Sequence, residues 1–334
     1  MNKTIVCTTP NDISDAIKKY DTFEDYNLII IGDETTPSNY GKTLDRGIFI
    51  PYDFKLGFKI EKFLPLNCAQ RSLLGYLQAV KEKSDVIVTV SDDVFPYDNF
   101  GNNLNIGNDV NITTNKIVGN GYYNYLPDIC DVPFKIWQRG FPITDLNENA
   151  HLEKLENISG IYNIGVQADY CDGDLDVDAL IRLQYGELDY KCKDYPVLIG
   201  KNVYSPFNNQ STFFYKTTFP LMLLLLSVGR MDDIWMSYIC QRIMWQQNYF
   251  LYFGNITSYH KRGKRDLLKD FNNELLGYKH TKHFLTFLQH LEFKTNNIFD
   301  CFIEFCLLAE ELSYFPESFK KLWRLWISDI EILL

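Results

Sequence analysis

Two adjacent carboxylates follow a short apolar segment and form the first group in this chain that could do chemistry. Asp85 to Val90 reads as a buried strand, and it leads through a serine into Asp92 and Asp93. Hard cations such as Mn²⁺ and Mg²⁺ prefer oxygen ligands and keep coordination positions open for substrate phosphates. Aspartate is also common in the turns that end strands, which is the structural alternative. The pair is therefore a candidate site for a cation that bridges a diphosphate.

A second acidic pair, Asp232 and Asp233, stands between an apolar segment and a predicted helix from Ile234 to Trp245. A carboxylate in this position could act as a general base that takes a proton from an acceptor hydroxyl. Acidic residues at a helix start are also ordinary capping residues. Both interpretations stay open at this point.

The concentrated basic segment of the chain runs from Ser258 to Asp266 and contains His260, Lys261, Arg262 and Arg265. A histidine beside cationic side chains could complete a metal shell and neutralise a leaving diphosphate. Basic runs more often form solvated faces, so the structural alternative is strong. The segment is a candidate phosphate-binding element.

Three further segments carry polar groups. Trp137 to Pro142 contains Arg139, and Pro206 to Thr212 contains Asn209; their amide and hydroxyl groups suit sugar hydroxyls, although both segments could be turns. The acidic segment from Asp169 to Asp178 lacks the order of Asp, Gly and terminal Glu of an EF-hand loop. We therefore do not assign calcium to it.

The elements that would position these groups follow an α/β pattern. A strand from Thr4 to Thr8, a helix from Asp12 to Lys19 and a continuous apolar strand from Asn27 to Ile31 form a β-α-β unit. Continuous apolar strands are buried on both faces, which is typical of parallel sheets. Asp33 follows such a strand, at the edge where ligands bind in doubly wound folds. The sequence predicts a Rossmann-like, mostly parallel central sheet flanked by helices.

The remaining chain predicts a catalytic domain and a helical extension. The segment from Asn99 to Asn124 is rich in Asn and Gly and predicts a loop or insertion. The apolar run from Phe219 to Val228 is about half the ~20 residues of a membrane span, so it predicts a buried helix. We divide the chain into a domain of residues 1–273 and a helical C-terminal extension of residues 274–334.

Composition bounds the partners and the compartment. The 334 residues include 33 Lys and Arg against 43 Asp and Glu, a formal charge of −10 that opposes binding to nucleic acid. Eight cysteines without a C-x-x-C pair, and an N-terminus without a secretion signal, predict a reduced, cytoplasmic protein without a zinc site. The amphipathic segment from Phe315 to Ile327 predicts packing onto the catalytic domain, with peripheral contact to a membrane as the alternative.

A set of short segments extends the pattern from about Thr4 to Leu276. They are Ile5–Thr9, Ala16–Lys19, Ile31–Asp33, Leu56–Phe58, Gly75–Leu77, Asp92–Asp93, Arg139–Pro142, Asp172–Ala179, Tyr204–Gln210, Asp233–Trp235 and Leu267–Phe271. In this order they resemble the STELLO-type glycosyltransferase family and, more distantly, the reversibly glycosylated polypeptides that include plant UDP-arabinopyranose mutases.

The resemblance implies a GT-A fold and a nucleotide-sugar site. It places Asp33 near the base, Arg71 near the phosphates, Asp93 as direct metal ligand and His260 as a further ligand. The residues expected to bind the nucleotide-sugar are Thr8, Thr9, Asp33, Arg71, Asp92, Arg139, Asn209, Lys261, Arg262 and Arg265.

Two departures separate this chain from the mutase-like relatives. Those relatives carry an acidic triplet where this chain has Ser91 before Asp92 and Asp93, and they carry a sugar-accepting arginine where this chain has Thr144 to Glu148, without arginine. Self-glycosylation and mutase activity are therefore disfavoured. STELLO-type proteins are described as Golgi membrane proteins with extra segments, whereas this sequence predicts no anchor.

The sequence thus predicts a metal-dependent glycosyltransferase, with Mn²⁺ or Mg²⁺ as cofactor. It would transfer a sugar from a nucleoside diphosphate, with UDP expected, to a hydroxyl of a glycan acceptor. If the reaction inverts stereochemistry, Asp233 is the first choice for the catalytic base and Asp232 the second. The alternatives are a nucleotide-sugar mutase and a non-catalytic scaffold that keeps the fold.

Overall fold

A computed structural model describes residues 1–146 and 154–334 of the chain. In these two ranges, strands and helices alternate through the first half, and helices dominate the end. The elements are β1 Lys3–Thr9, α1 Asp15–Tyr20, β2 Asn27–Gly32, β3 Ile48–Ile50, α2 Ser72–Lys81, β4 Val86–Val90, β5 Val94–Pro96, β6 Gly107–Val118, β7 Gly121–Tyr122, α3 Leu126–Ile129, β8 Lys154–Asp174, α4 Ala179–Tyr185, β9 Asp189–Tyr190, β10 Val197–Ile199, β11 Val203–Tyr204, β12 Ser211–Tyr215, α5 Asp232–Met244, β13 Tyr249–His260, α6 Leu267–Gln289, α7 Ile298–Ala309 and α8 Glu317–Ile330.

The central sheet has the strand order β3-β2-β1-β4-β12-β8-β6-β10-β13-β5, with β9 paired to β8. Strands β1 to β4 are parallel to one another, but β12 is antiparallel to both β4 and β8, and β6 is antiparallel to β8. The α/β class is confirmed, whereas the prediction of a mostly parallel sheet is wrong because the sheet is mixed.

The apolar strands β2 and β4 are buried along almost all their length, as parallel strands require, whereas β6 and the first half of β8 expose polar side chains.

The segments that contain the candidate site residues lie at one edge of this sheet, where several strands end. Strands β1, β2 and β4 end at this edge, and β12 begins there because it runs antiparallel to β4. Strand β8 runs antiparallel to β12, and β13 runs parallel to β8, so both also end there. Loops that are far apart in sequence therefore meet at one edge of the sheet.

Two local predictions are wrong. The segment from Asn99 to Asn124 contains β6, which pairs with β8 from Gly107 to Val118, so a partner distant in sequence makes a strand out of a polar segment. The run from Phe219 to Val228 is buried except at Ser227, but it is not an α-helix. A short 3₁₀ turn at Lys216–Leu221 contains Pro220, which lacks the backbone N–H of a helix interior.

The C-terminal helices share one hydrophobic cluster with the sheet. Trp326 is fully buried and donates from Nε1 to the carbonyl of Pro220 over 2.9 Å. The Asp329 carboxylate accepts the backbone N–H groups of Lys59 and Ile60 at 2.9 and 2.8 Å. The apolar face of α8 thus packs against the protein, and the predicted boundary after residue 273 falls inside α6.

In the two described ranges, none of the helices is both long enough and apolar enough to cross a lipid bilayer.

Candidate active site

A cavity of about 540 Å³ opens at the edge where these strands end. Its size is within the ~300–1,000 Å³ typical of small-molecule sites. Ten of the predicted site residues line it: Thr8, Asp33, Asp92, Asp93, Arg139, Asn209, Asp232, Asp233, Arg262 and Arg265. The sheet therefore brings most of the predicted residues into one place.

The first acidic pair is held by the loop after β4. Asp92 accepts hydrogen bonds from the Thr9 hydroxyl and, at 2.9 Å, from the Asn11 side-chain amide. These donors come from the end of β1, which lies beside β4 in the sheet. They fix one carboxylate of the pair at the strand end and leave the other to face the basic segment.

Asp93 faces His260, the last residue of β13, with 3.3 Å between Asp93 Oδ2 and His260 Nε2. The other ring nitrogen, Nδ1, lies 2.8 Å from the carbonyl oxygen of Asp174, to which it can only donate. With Nδ1–H held in this way, Nε2 faces Asp93: it donates to the carboxylate when the ring carries both protons and offers a lone pair when it does not, and the second form is the usual arrangement of metal-bound histidines.

The 3.3 Å between Nε2 and the carboxylate oxygen can be bridged by a proton or, in its place, by a cation bound to both atoms. The residues present therefore fit a divalent cation with two protein ligands, which suits ions that take further ligands from substrate phosphates. Among the residues that the structure describes, no group of three or more His, Cys, Asp and Glu side chains is arranged to hold a metal by itself.

The electrostatics around Asp93 favour its ionised form. Burial opposes ionisation, but the hydrogen bond and charge of His260, together with Arg262 and Arg265, outweigh burial and lower the pKa of the Asp93 carboxyl. An ionised carboxylate is the form that a metal ligand requires.

Arg262 is a buried cation that lines the cavity. Its side chain is 6% exposed, with Nε at 3.3 Å from Asp174 Oδ2 and Nη2 at 3.6 Å from Asp176 Oδ1. Burial and the nearby charge of Arg182 lower the pKa of Arg262 to about 10. Within the described residues, neither Nε nor Nη1 has a hydrogen-bond acceptor. Buried N–H groups that make no hydrogen bond are costly, so this guanidinium, although ion-paired with two carboxylates, is suited to donate to an anionic ligand.

The second acidic pair begins α5 and divides into two environments. Asp233 forms a two-point ion pair with Arg139, at 2.9 Å from Nη1 to Oδ1 and 3.0 Å from Nη2 to Oδ2. Asp232 accepts from the Gln70 side chain at 2.9 Å. Burial, followed by the charge of Asp233, raises the pKa of Asp232 to about 7. A carboxyl with this pKa can exchange protons near neutral pH.

Asp176 is the main residue that the sequence did not assign. It lies in the acidic segment after β8, pairs with Arg139 at 3.0 Å and lines the cavity. Burial opposes its ionisation, but Arg139 and Arg262 dominate and lower its pKa well below the usual range. The sequence did contain a signal, because Asp172–Ala179 is one of the segments that carry the resemblance. The lack of an EF-hand pattern, however, left Asp176 without an assigned role.

Arg230 is a second lining residue without an assignment. Its Nε donates to Glu274 at 2.7 Å, and Nη1 lies 3.8 Å from Asp270. Both acids are on α6, so the helical end of the chain helps to place the cavity wall. Sequence spacing could not have paired Arg230 with residues about forty positions away.

Four predicted residues do not line the cavity: Thr9, Arg71, His260 and Lys261. Thr9 contacts Asp92, and His260 contacts Asp93. Arg71 is 5% exposed, donates to the carbonyl of Gly32 at 3.3 Å and has its Nε 3.7 Å from Asp33 Oδ2. Lys261 is exposed, and its backbone N–H donates to the Asp93 carbonyl at 3.0 Å.

The segment that replaces the sugar-accepting arginine of the mutase-like relatives is described only in part. Thr144 and Asp145 belong to a short 3₁₀ turn, Ile143–Asp145. Asn147 and Glu148 lie outside the described residues.

Comparisons with known proteins agree with the motif pattern. No protein-family model matches the chain. Two Arabidopsis thaliana proteins, named "Probable glycosyltransferase STELLO1" and "Probable glycosyltransferase STELLO2", are each 21% identical to it over 351 aligned residues. The alignments cover 98% of this chain but 44% of each relative, so the chain spans less than half the length of these proteins. Over nearly all of its own length, the chain is therefore similar to STELLO-type glycosyltransferases, and the resemblance predicted from its motifs is confirmed.

Proposed function

We propose that this chain is a GT-A glycosyltransferase that moves a sugar from a nucleoside diphosphate, with UDP expected, to a hydroxyl of a glycan acceptor. One observation carries the proposal: the buried Arg262 guanidinium, whose Nε and Nη1 make no hydrogen bond among the described residues, lies in the same cavity as the Asp93 carboxylate that faces His260. Buried donors for an anion beside two metal-type ligands suit a diphosphate bound with a cation.

Asp93 and His260 would hold Mn²⁺ or Mg²⁺ together with oxygens of the diphosphate. When bound, the cation supplies Lewis-acid neutralisation of the leaving group. Arg262 would donate hydrogen bonds to the same diphosphate, and Arg265, which also lines the cavity, would add positive charge. The parallel order β3-β2-β1-β4, followed by antiparallel β12, is compatible with the GT-A assignment, which rests on the resemblance.

For an inverting reaction we now favour Asp232 over Asp233 as the base. Asp233 is held in its ion pair with Arg139. Asp232 lines the cavity, and burial together with the charge of Asp233 raises its pKa to about 7. Asp232 would take the proton of the acceptor hydroxyl as its oxygen bonds to the anomeric carbon. The bond from that carbon to the diphosphate oxygen breaks, and the nucleoside diphosphate leaves with the electron pair.

The test is release of UDP from a panel of UDP-sugars by the purified chain, with and without Mn²⁺ and with glycan acceptors. We expect Mn²⁺-dependent release in wild type and its loss in Asp93→Ala. Asp98→Asn is the matched control, because Asp98 is an exposed carboxylate that pairs with Lys19 at 2.6 Å. Ring interconversion of a UDP-pentose without acceptor would indicate a mutase instead. Failure of every donor to bind or react would leave the scaffold alternative.

The cytoplasmic location and the peripheral membrane contact stay predictions. Flotation with liposomes, comparing the whole chain with a Lys321→Glu variant on the exposed face of α8, measures the membrane contact.

A further inference from the structure

Arg139 has no donor left for a ligand. Its Nε and Nη2 donate to the two Asp176 oxygens at 3.0 and 3.1 Å. Its Nη1 and Nη2 donate to the two Asp233 oxygens at 2.9 and 3.0 Å, and Nη1 also donates to the Arg230 carbonyl. A guanidinium has five N–H groups, and these contacts use all five. Arg139 therefore acts through the two carboxylates that it holds.

The groups that Arg139 positions are hydrogen-bond acceptors. The Asp176 and Asp233 carboxylates line the cavity, and Asn209 lines it beside them, with its backbone N–H 3.4 Å from Asp233 Oδ2. The Asn209 amide donates to the Tyr76 hydroxyl at 3.3 Å, but among the described residues its buried Oδ1 has no hydrogen-bond partner. These three side chains, which we call the acceptor wall, therefore suit a ligand with many hydrogen-bond donors, one of which would satisfy Asn209 Oδ1.

This acceptor wall adjoins the phosphate-binding side of the cavity. Asp176 Oδ1 lies 3.6 Å from Nη2 of Arg262, which has unpaired donors of its own. In a nucleoside diphosphate sugar, the sugar ring is bonded directly to the second phosphate. A ring attached to a phosphate at Arg262 would therefore lie beside Asp176.

We propose that Asp176, Asp233 and Asn209 form the donor-sugar subsite and recognise hydroxyl groups of a neutral sugar, with Arg139 as their positioning residue. This proposal rests on the proposed function. A carboxylate on the sugar would bring further acceptor oxygens and a like charge against Asp176 and Asp233 where a hydroxyl would bring donors, so a sugar that carries a carboxylate is disfavoured. The subsite selects neutral hexosyl or pentosyl donors over uronates.

Calorimetric titration of the purified chain with Mn²⁺ tests the subsite, using UDP, UDP-glucose and UDP-glucuronate as probes. The two sugars differ only at C6, where a hydroxymethyl group replaces a carboxylate. We expect UDP-glucuronate to bind about tenfold more weakly than UDP-glucose, by the usual size of one unfavourable charge contact. Equal binding of the two sugars would overturn the proposal.

Two variants separate the sugar from the nucleotide. Asn209→Ala should weaken UDP-glucose binding about five- to tenfold while leaving UDP binding unchanged, because a hydrogen bond to a buried acceptor is worth that much. Asp176→Asn, which also changes a partner of Arg262, should weaken UDP-glucose binding more than UDP binding. Asn209 is partly exposed and uncharged, so Asn209→Ala tests the subsite even if Asp176→Asn is poorly folded. Equal weakening of UDP and UDP-glucose, or no change in either, would contradict the subsite. Absence of any UDP binding to wild type would instead contradict the proposed function itself.

Discussion

The two Asp-Asp pairs have the same residues and line the same cavity. Their environments nevertheless shift the pKa of one carboxyl in each pair, Asp93 and Asp232, in opposite directions. Asp93 follows a strand and meets His260 and two arginines, which outweigh burial and lower its pKa. Asp232 starts a helix beside Asp233, and burial with that like charge raises its pKa to about 7. The difference shows that the neighbours of a dipeptide, rather than its residues, decide between a cation ligand and a proton acceptor.

In both pairs, the two neighbouring carboxylates have different partners. Asp92 is occupied by Thr9 and Asn11, and Asp233 is occupied by Arg139. In each pair one carboxylate is tied to the protein while its neighbour is left for chemistry. A substitution should therefore have different consequences at the tied and at the available member.

The largest effect is expected for Asp232→Asn. An amide cannot take a proton, so kcat should fall by about 10²- to 10³-fold, the usual contribution of a general base. In wild type, activity should rise as pH increases through about 7, because the base acts only when ionised. The measurement is a pH profile of kcat/KM for both proteins. An acidic limb that survives in the variant would assign the base elsewhere.

The next effect concerns Asp93→Asn and the cation. Loss of a charged ligand should weaken the Mn²⁺-dependent part of UDP affinity by about 10- to 100-fold. Binding measured in the absence of the metal should change much less. Titration of UDP with and without Mn²⁺ checks this, and Asp98→Asn provides the exposed-carboxylate control. Equal losses in both conditions would mean that Asp93 has a structural role.

A third prediction uses stability and has an opposite sign at two carboxyls. The pKa of Asp232 rises on folding from 3.8 to about 7, so its contribution to stability is full below about pH 3.8 and is lost as pH rises to about 7. Asp232→Asn has no carboxyl to ionise at this position, so the variant does not lose stability there as pH rises. At about 1.4 kcal/mol for each unit of pKa, the variant should therefore gain up to about 4 kcal/mol in free energy of unfolding, relative to wild type, at pH 8 compared with pH 4.

The comparison for that prediction is Asp85→Asn. The hydrogen bond from Lys216 lowers the pKa of Asp85, so its contribution is present above the unfolded pKa and is lost as pH falls through the folded value. Because this ion pair is partly exposed, its loss should cost at most about 1 kcal/mol at pH 8. Urea unfolding of both variants at the two pH values gives the signs, and equal signs would refute the assigned environments.

The smallest effect is expected for Thr9→Val, which removes the hydroxyl that donates to Asp92 and keeps the shape of the side chain. One hydrogen bond to a charged group is worth about 1–2 kcal/mol, so Mn²⁺-dependent UDP affinity should fall about five- to tenfold. Thr113→Val on β6 is the control, since its hydroxyl contacts Ser159 on an exposed face. A loss as large as that of Asp93→Asn would mean that Asp92 is the principal ligand.

Much of the site could be predicted because its residues follow strands. Burial on both faces identified the strands before Asp33 and Asp93, and the ends of parallel strands share one edge. The antiparallel half of the sheet was missed, because β6 and the first half of β8 are polar and pair with each other across a long sequence separation. Asp176 and Arg230 were missed for a related reason, since their partners lie on other elements.

By itself, the sequence determined the α/β class, the apolar strands and which acidic and basic segments stand at element ends, because these follow from local hydrophobic patterns and residue chemistry. Only the tertiary structure decided that Arg139 is saturated, that Arg262 has unpaired donors and that the two aspartate pairs differ in proton affinity. Burial and charge act through space, and the distances that set them exist only once the chain is folded.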